Sequence, residues 1–158
     1  MEFDFNRAIQ YFQSVLTDHY ADFNGRVSRK DYWTYVAVYF VIAIGVALVQ
    51  SIIGLGLLSL LQLALLLPSA GMTARRLQDT GKPGSLVWIL VIPVLISSLV
   101  TFLAAMTFGA FGLILLFLPI MGLIGLISLV AGIYMIYLCV QPGTPGSNQF
   151  GPAPPSAT

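Results

Sequence analysis

The sequence predicts an all-α, polytopic membrane protein with four transmembrane helices preceded by an N-terminal amphipathic helix. Of its 158 residues, 58% are hydrophobic and only 8% are charged, whereas soluble domains carry about 25% charged residues. Every Lys, Arg, Asp and Glu lies within residues 1–31 or 75–82. Because a charge at the bilayer centre costs at least a few kcal/mol, this distribution is typical of a chain whose uncharged tracts lie in lipid.

Four apolar tracts are long enough to cross a bilayer, which takes roughly twenty helical residues. Gly54 and Gly56 mark the break between the first two tracts. The last tract is longer than one span requires, and Pro119 within it predicts a kinked or tilted helix rather than two spans. A three-helix arrangement stays open as the alternative. The transmembrane domain then covers residues 23–140, with helices over about 33–53, 57–79, 86–106 and 110–140.

The first 22 residues predict a different kind of helix. Apolar residues recur at three- and four-residue spacing from Phe5 to Tyr20, with polar residues between them, which is the pattern of an amphipathic helix. This segment, residues 1–22, is too short and too polar to span a membrane. We expect it to lie on the inner leaflet or to dock on the cytoplasmic end of the bundle. No cleavable signal peptide is predicted, because the segment lacks an apolar core.

The orientation follows from the basic residues, which favour the cytoplasmic side of a membrane. They precede the first span and lie between the second and third spans, whereas the other two turns carry no charge. Four spans therefore place both termini and the middle loop in the cytoplasm. Residues 141–158 are rich in Pro, Gly, Ser and Thr, so we expect an extended cytoplasmic tail there.

Two predicted helix ends at the cytoplasmic side carry recognisable capping residues. Ser28 as N-cap and Asp31 three residues later predict a capping box at the start of the first span. Gly81, followed by Pro83, predicts a left-handed residue that ends the second. Asp79 is the exception, because a carboxylate near a helix C-terminus opposes the helix dipole, at a cost of up to about 1 kcal/mol.

We therefore expect an ion-pair network at the cytoplasmic face that joins the two charge clusters through Asp79. Arg75 stands four residues earlier on the same helix face, and Arg26 and Arg29 lie at the same predicted depth. Two other interpretations stay open. These arginines and Arg76 either set the topology and contact lipid phosphates, or they bind a ligand or substrate.

Three motifs give the sequence a resemblance to a known family. They are Phe-Asn-Gly-Arg-Val-Ser-Arg-Lys-Asp-Tyr-Trp at 23–33, Pro68 followed by Ala-Arg-Arg-Leu-Gln-Asp-Thr-Gly at 74–81, and Pro-Gly-Thr-Pro-Gly-Ser-Asn-Gln-Phe-Gly-Pro at 142–152. In this order they resemble the DUF805 family of small bacterial inner-membrane proteins, whose function is unassigned. The resemblance implies a multi-pass helical protein of the bacterial inner membrane with no known enzymatic activity, and it supplies no catalytic residues.

The chain departs from the family pattern at two positions. Gln78 stands where the family usually has histidine, so the resemblance implies no proton-transfer or metal role at this position. Gln149 replaces an arginine that is common in the tail motif, which leaves one cation fewer at the cytoplasmic face.

The residues themselves suggest little chemistry. His19 is the only histidine and Cys139 the only cysteine, so the sequence predicts no metal site, no cofactor and no internal disulfide. The uncharged tracts contain no carboxylate pair for acid–base catalysis, and we expect that the protein is not an enzyme. The net charge of +1 gives no reason to expect nucleic acid as a partner.

The function we expect is that of a structural, accessory or assembly subunit, acting through helix packing and a cytoplasmic cluster. Asn148 should pin the tail across that face. Stripes of small residues on the third and fourth helices predict a protein partner or a homo-oligomer within the bilayer. One alternative is a channel or small-solute transporter with an uncharged path past Gln62. Another is a module that binds an anionic phospholipid at Arg75 and Arg76. The cluster residues are Arg26, Arg29, Arg75, Arg76, Asp79 and Asn148.

Overall fold

A computed structural model describes residues 4–53, 58–106 and 111–155, and these residues form helices and no β-strand. The 3-10 turn Gly84–Val87 leads into the fourth helix, and an isolated bridge joins Asn148 to Gly151 in the tail. The all-α prediction is confirmed. The α-helices of the described residues are α1 (Phe5–Thr17), α2 (Arg29–Ile53), α3 (Leu58–Asp79), α4 (Trp88–Met106) and α5 (Phe111–Val140).

Two of the described helical segments are long and apolar enough to cross a membrane. They are Arg29–Ile52 in α2 and Leu118–Val140 in α5. A shorter apolar segment, Gly84–Val100, lies largely in α4. The four-span count therefore stays a prediction. The sequence predicts an uncharged path past Gln62, but the side chain of this residue lies outside the described part of the structure.

Helix α1 packs on α2 through its apolar face. Its N-cap is Asp4, whose side chain accepts a hydrogen bond from the Arg7 N–H at 3.1 Å. Phe12 is buried and stacks on Tyr35 of α2, with 5.1 Å between ring centroids. Burial also raises the pKa of the Tyr11 phenol to about 12. The buried face of α1 therefore lies against α2.

The chain after α1 is tied to α3 at a proline. Pro68 lies inside α3 and has no N–H, so the carbonyl of Ala64 loses its usual helical partner. The Tyr20 hydroxyl donates to that carbonyl at an O···O distance of 2.6 Å. A long-range hydrogen bond thus satisfies the backbone group that the proline left free.

The buried side chains of the described helices gather at one end of the bundle, where α2 and α4 begin and α3 and α5 end. We call this region the packed end and define it as residues 27–35, 65–79, 87–91 and 131–139. No described side chain is buried in residues 40–52 or 118–130, which we call the open half. The core side chains of the packed end and α1 include Phe12, Val15, Val27, Tyr32, Tyr35, Leu65, Met72, Leu77, Met135, Leu138 and Cys139.

Candidate functional site

Asp79 is the last residue of α3, and the way this helix ends fixes its position. Gly81 takes the left-handed conformation with φ of +78°. The Lys82 N–H donates to the Leu77 carbonyl at 2.9 Å, and the Gly81 N–H donates to the Gln78 carbonyl at 3.1 Å. These two bonds form the Schellman motif, which satisfies carbonyls at a helix C-terminus.

The Asp79 carboxylate lies between two arginines that come from different parts of the chain. The Arg26 guanidinium contacts one carboxylate oxygen through Nη2 at 2.9 Å and through Nε at 3.0 Å. Arg76 bonds the other oxygen through Nη1. The exposed fractions of the three side chains are 2% for Arg26, 0% for Arg76 and 3% for Asp79. Removing one member of such a buried group leaves an uncompensated charge, which is strongly destabilising.

Arg76 also joins the ends of three segments. Its Nε donates to the carbonyl of Cys139 at 3.0 Å, and its Nη1 donates to the carbonyl of Val27 at 3.4 Å. Its Nη2 donates to the carbonyl of Gln141. Because the last carbonyls of α5 lack helical partners and carry the negative end of the helix dipole, a buried cation is favourable at this position.

Arg26 holds the tail against the bundle. Its Nη1 donates to the carbonyl of Gly146 at 2.6 Å, and its Nη2 donates to the carbonyl of Thr144 at 2.6 Å. A longer bond of 3.3 Å reaches the carbonyl of Gly151. One side chain therefore connects Asp79 to three carbonyls of the tail.

The tail returns these contacts to the end of α3. Thr144 donates to the Asp79 carbonyl through its N–H at 2.8 Å and its hydroxyl at 3.0 Å. Asn148 donates to the Gln78 carbonyl at 3.0 Å. A Cβ atom added at Gly143 would overlap the Asp79 carboxylate, so this position requires glycine. The structure thus places Asn148 where it pins the tail to α3.

Two of the expected arginines lie outside this network. The partner of Asp79 on its own helix is Arg76, three residues earlier, and not Arg75, four residues earlier. The Arg75 guanidinium lies 3.6 Å from the Asp22 carboxylate and bonds the Met72 sulfur. Its side chain therefore turns towards the segment that follows α1. Arg29 is exposed and makes no hydrogen bond or ion pair within the described part of the chain.

Ser28 is the N-cap of α2. Its hydroxyl oxygen accepts from the Asp31 N–H at 3.1 Å, as an N-cap residue does. The Asp31 carboxylate reaches back to the cap and accepts from the Ser28 hydroxyl at 2.7 Å. The cap fixes the start of α2 two residues after Arg26.

Gln78 is buried at the position where the resemblance had suggested histidine in relatives. Its side-chain amide donates to the Phe23 carbonyl at 2.9 Å, so it holds the segment before α2. His19 lies 3.2 Å from Asp22 on the surface. Within the described ranges, no three His, Cys, Asp or Glu side chains lie close enough together to hold a metal ion.

The sequence did not single out Gly143, Thr144 or Asp22, although each contributes to the site. The run Pro-Gly-Thr-Pro-Gly at 142–146 is typical of turns, but it does not indicate which residues of the bundle those turns contact. The acceptors of Arg76 at the end of α5 are backbone carbonyls, which every residue possesses, so no residue type could have revealed them.

These observations define an all-helical membrane protein whose charged groups converge at one end of the bundle. The chain belongs to the DUF805 family, described as a protein of unknown function, whose sequence profile matches residues 20–152. This match confirms the resemblance seen in the sequence motifs, and it covers the whole cluster from Arg26 to Asn148.

Two relatives in Escherichia coli K12 support this assignment. The inner membrane protein YhaI is 35% identical over 88 residues, which cover 54% of this chain and 74% of YhaI. The uncharacterized protein YiiR is 31% identical over 75 residues, covering 44% of this chain and 49% of YiiR. No solved structure matches the chain.

Proposed function

We propose that this chain is a non-enzymatic structural or accessory subunit of the bacterial inner membrane, with a closed cytoplasmic end that serves as a rigid platform for a partner. The proposal rests on the dense hydrogen bonding of the buried Arg26, Arg76 and Asp79. Every guanidinium nitrogen of Arg26 and Arg76 bonds the protein, and both Asp79 carboxylate oxygens are occupied. Such a network leaves few donors or acceptors among the described residues for a substrate, and it stabilises one arrangement of helix ends.

The proposed topology has four spans with both termini in the cytoplasm. Besides α2 and α5, helix α3 has 22 residues and α4 has 19. A helix rises 1.5 Å per residue, so each comes close to the roughly 30 Å of a bilayer core. The basic residues at the packed end favour the cytoplasmic side. The printed name of YhaI, an inner membrane protein, supports the location.

The face of α5 that carries Gly125 and Gly132 supports a protein partner or a second copy of the chain within the bilayer. A Cβ atom added at Gly125 or Gly132 would meet no other atom within 4 Å, so these glycines do not serve close packing inside the monomer. Small residues on a helix face let a second helix approach closely. We place the partner surface on this face of α5.

The test is purification from native membranes in a gentle detergent, followed by native mass spectrometry. We expect a stoichiometric partner or a defined oligomer for the parent protein. The double variant Gly125→Ile, Gly132→Ile should lose it and still fold, because both positions face open space. Leu123→Ile, an exposed position on the same helix, is the matched control. A parent protein that is monomeric and without a partner would overturn the proposal.

The alternative of lipid binding at Arg75 and Arg76 is not supported by the geometry. Their exposed fractions are only 7% and 0%, and their guanidinium groups contact Asp22 and Asp79. A lipid phosphate would have to displace a carboxylate from a buried site. The channel alternative still depends on Gln62, and a liposome flux assay that compares the parent with Gln62→Leu would test it.

A further inference from the structure

A cavity of about 500 Å³ lies between the first turn of α2 and the tail. Arg29 and Lys30 of α2 line it, together with the Pro142–Gly146 part of the tail. Arg26 and Asp79 also line it. The cavity therefore borders the buried cluster.

The charges around this cavity do not balance. Asp79 is its only lining carboxylate among the described residues, and Arg26 and Arg76 already pair with it. Arg29 and Lys30 are both exposed, and neither makes an ion pair or hydrogen bond within the described ranges. Arg29 is also close enough for its charge to repel that of Arg76. An anion in the cavity would relieve this repulsion.

A second hollow, of about 330 Å³, shares the same two cations in its lining. It is lined by Arg29, Lys30, Trp33 and Thr34 along the first turns of α2. Tryptophan is enriched where a membrane meets water, and Trp33 lies in the first turn and a half of a helix apolar enough to span. The two cations thus line both the cavity beside the tail and the hollow along α2.

We propose that Arg29 and Lys30 bind the phosphate of an anionic phospholipid from the inner leaflet, with the headgroup in the first cavity and the glycerol end beside Trp33. An amphipathic anion matches both hollows, whereas a small soluble anion would use only the first. The site is distinct from the partner surface on α5. Its assignment to the inner leaflet rests on the proposed topology, whereas lipid binding itself is measured on the purified protein.

The experiment is a lipid titration of the delipidated full chain in detergent, followed by native mass spectrometry. The probes are phosphatidylglycerol and phosphatidylcholine with the same acyl chains, and inorganic phosphate as a competitor. Each basic residue near an anionic surface contributes about 1 kcal/mol, so with two such residues we expect phosphatidylglycerol to bind roughly thirtyfold more tightly than phosphatidylcholine. The double variant Arg29→Gln, Lys30→Gln should lose this preference.

Two further variants separate lipid binding from effects on folding. Lys82→Gln removes an exposed cation that lines neither hollow, and it should keep the preference. The exchange Arg29→Lys, Lys30→Arg preserves the charge and should keep it as well. Equal binding of the two lipids by the parent, or an unchanged preference in the double glutamine variant, would overturn the site. Complete displacement of phosphatidylglycerol by millimolar phosphate would overturn the lipid assignment in favour of a soluble anion.

Discussion

The packed end and the open half belong to the same helices, yet different interactions stabilise them. At the packed end, the last turn of α5 presents a carbonyl that accepts from the buried Arg76, and Arg26 donates to carbonyls of the tail. In the open half, the helix ladders satisfy the backbone, so lipid or another helix can cover the apolar side chains at no polar cost. Directional hydrogen bonds and ion pairs therefore specify the arrangement at one end, whereas the other end offers only apolar surface.

The largest effect on this difference between the two regions is expected from removing the charge of the Asp79 carboxylate. Asp79→Asn leaves Arg26 and Arg76 buried without a counter-charge, and breaking a buried pair in this way costs about 3–5 kcal/mol. We expect a large fall in melting temperature in detergent. Asp22→Asn is the control, because Asp22 is 37% exposed and exposed pairs contribute at most about 1 kcal/mol. Equal melting temperatures for the two variants would show that the cluster does not stabilise the fold.

Substituting one phenylalanine in each region compares how much side-chain packing stabilises the two regions. Phe12 on α1 is 5% exposed against the packed end, whereas Phe40 in the open half is 64% exposed. Phe12→Ala should cost about 3–5 kcal/mol through lost burial and a cavity, and Phe40→Ala should cost little in detergent. The measurement is thermal unfolding followed by circular dichroism. If Phe40→Ala destabilises the protein as strongly, the open half is packed against something in the purified particle.

A smaller effect is expected from a single methyl group in the tail. Gly143→Ala places a Cβ against the Asp79 carboxylate, and overpacking of this kind costs about 1–3 kcal/mol. The tail should detach, so that limited proteolysis cuts it faster while the transmembrane helices stay intact. Gly45→Ala is the control, since its Cβ would meet nothing within 4 Å. Unchanged proteolysis of the tail in Gly143→Ala would mean that it does not rest on Asp79.

Prediction from the sequence succeeded where chemistry is local. The caps at Ser28 and Gly81 depend on a few neighbouring residues, and the misplaced Asp79 showed that cations had to lie nearby. The sequence could not decide whether Arg75 or Arg76 pairs with Asp79. Both stand within one helical turn of Asp79, and the presence of Asp22 beside Arg75 in space decides which one turns away. Spacing along α3 could not supply that information.

The sequence by itself determined that this protein is helical, that it has long apolar tracts suited to lipid, and that its motifs resemble the DUF805 family. The physical reason is solvation. The distribution of charged residues can be read from the sequence without knowing any tertiary contact, and it shows which tracts suit lipid rather than water. The tertiary structure alone decided that Arg76 bonds the end of α5, that Arg26 holds the tail, and that Arg29 and Lys30 are left over. Those outcomes depend on backbone carbonyls brought together from distant segments, and a carbonyl has the same chemistry at every position.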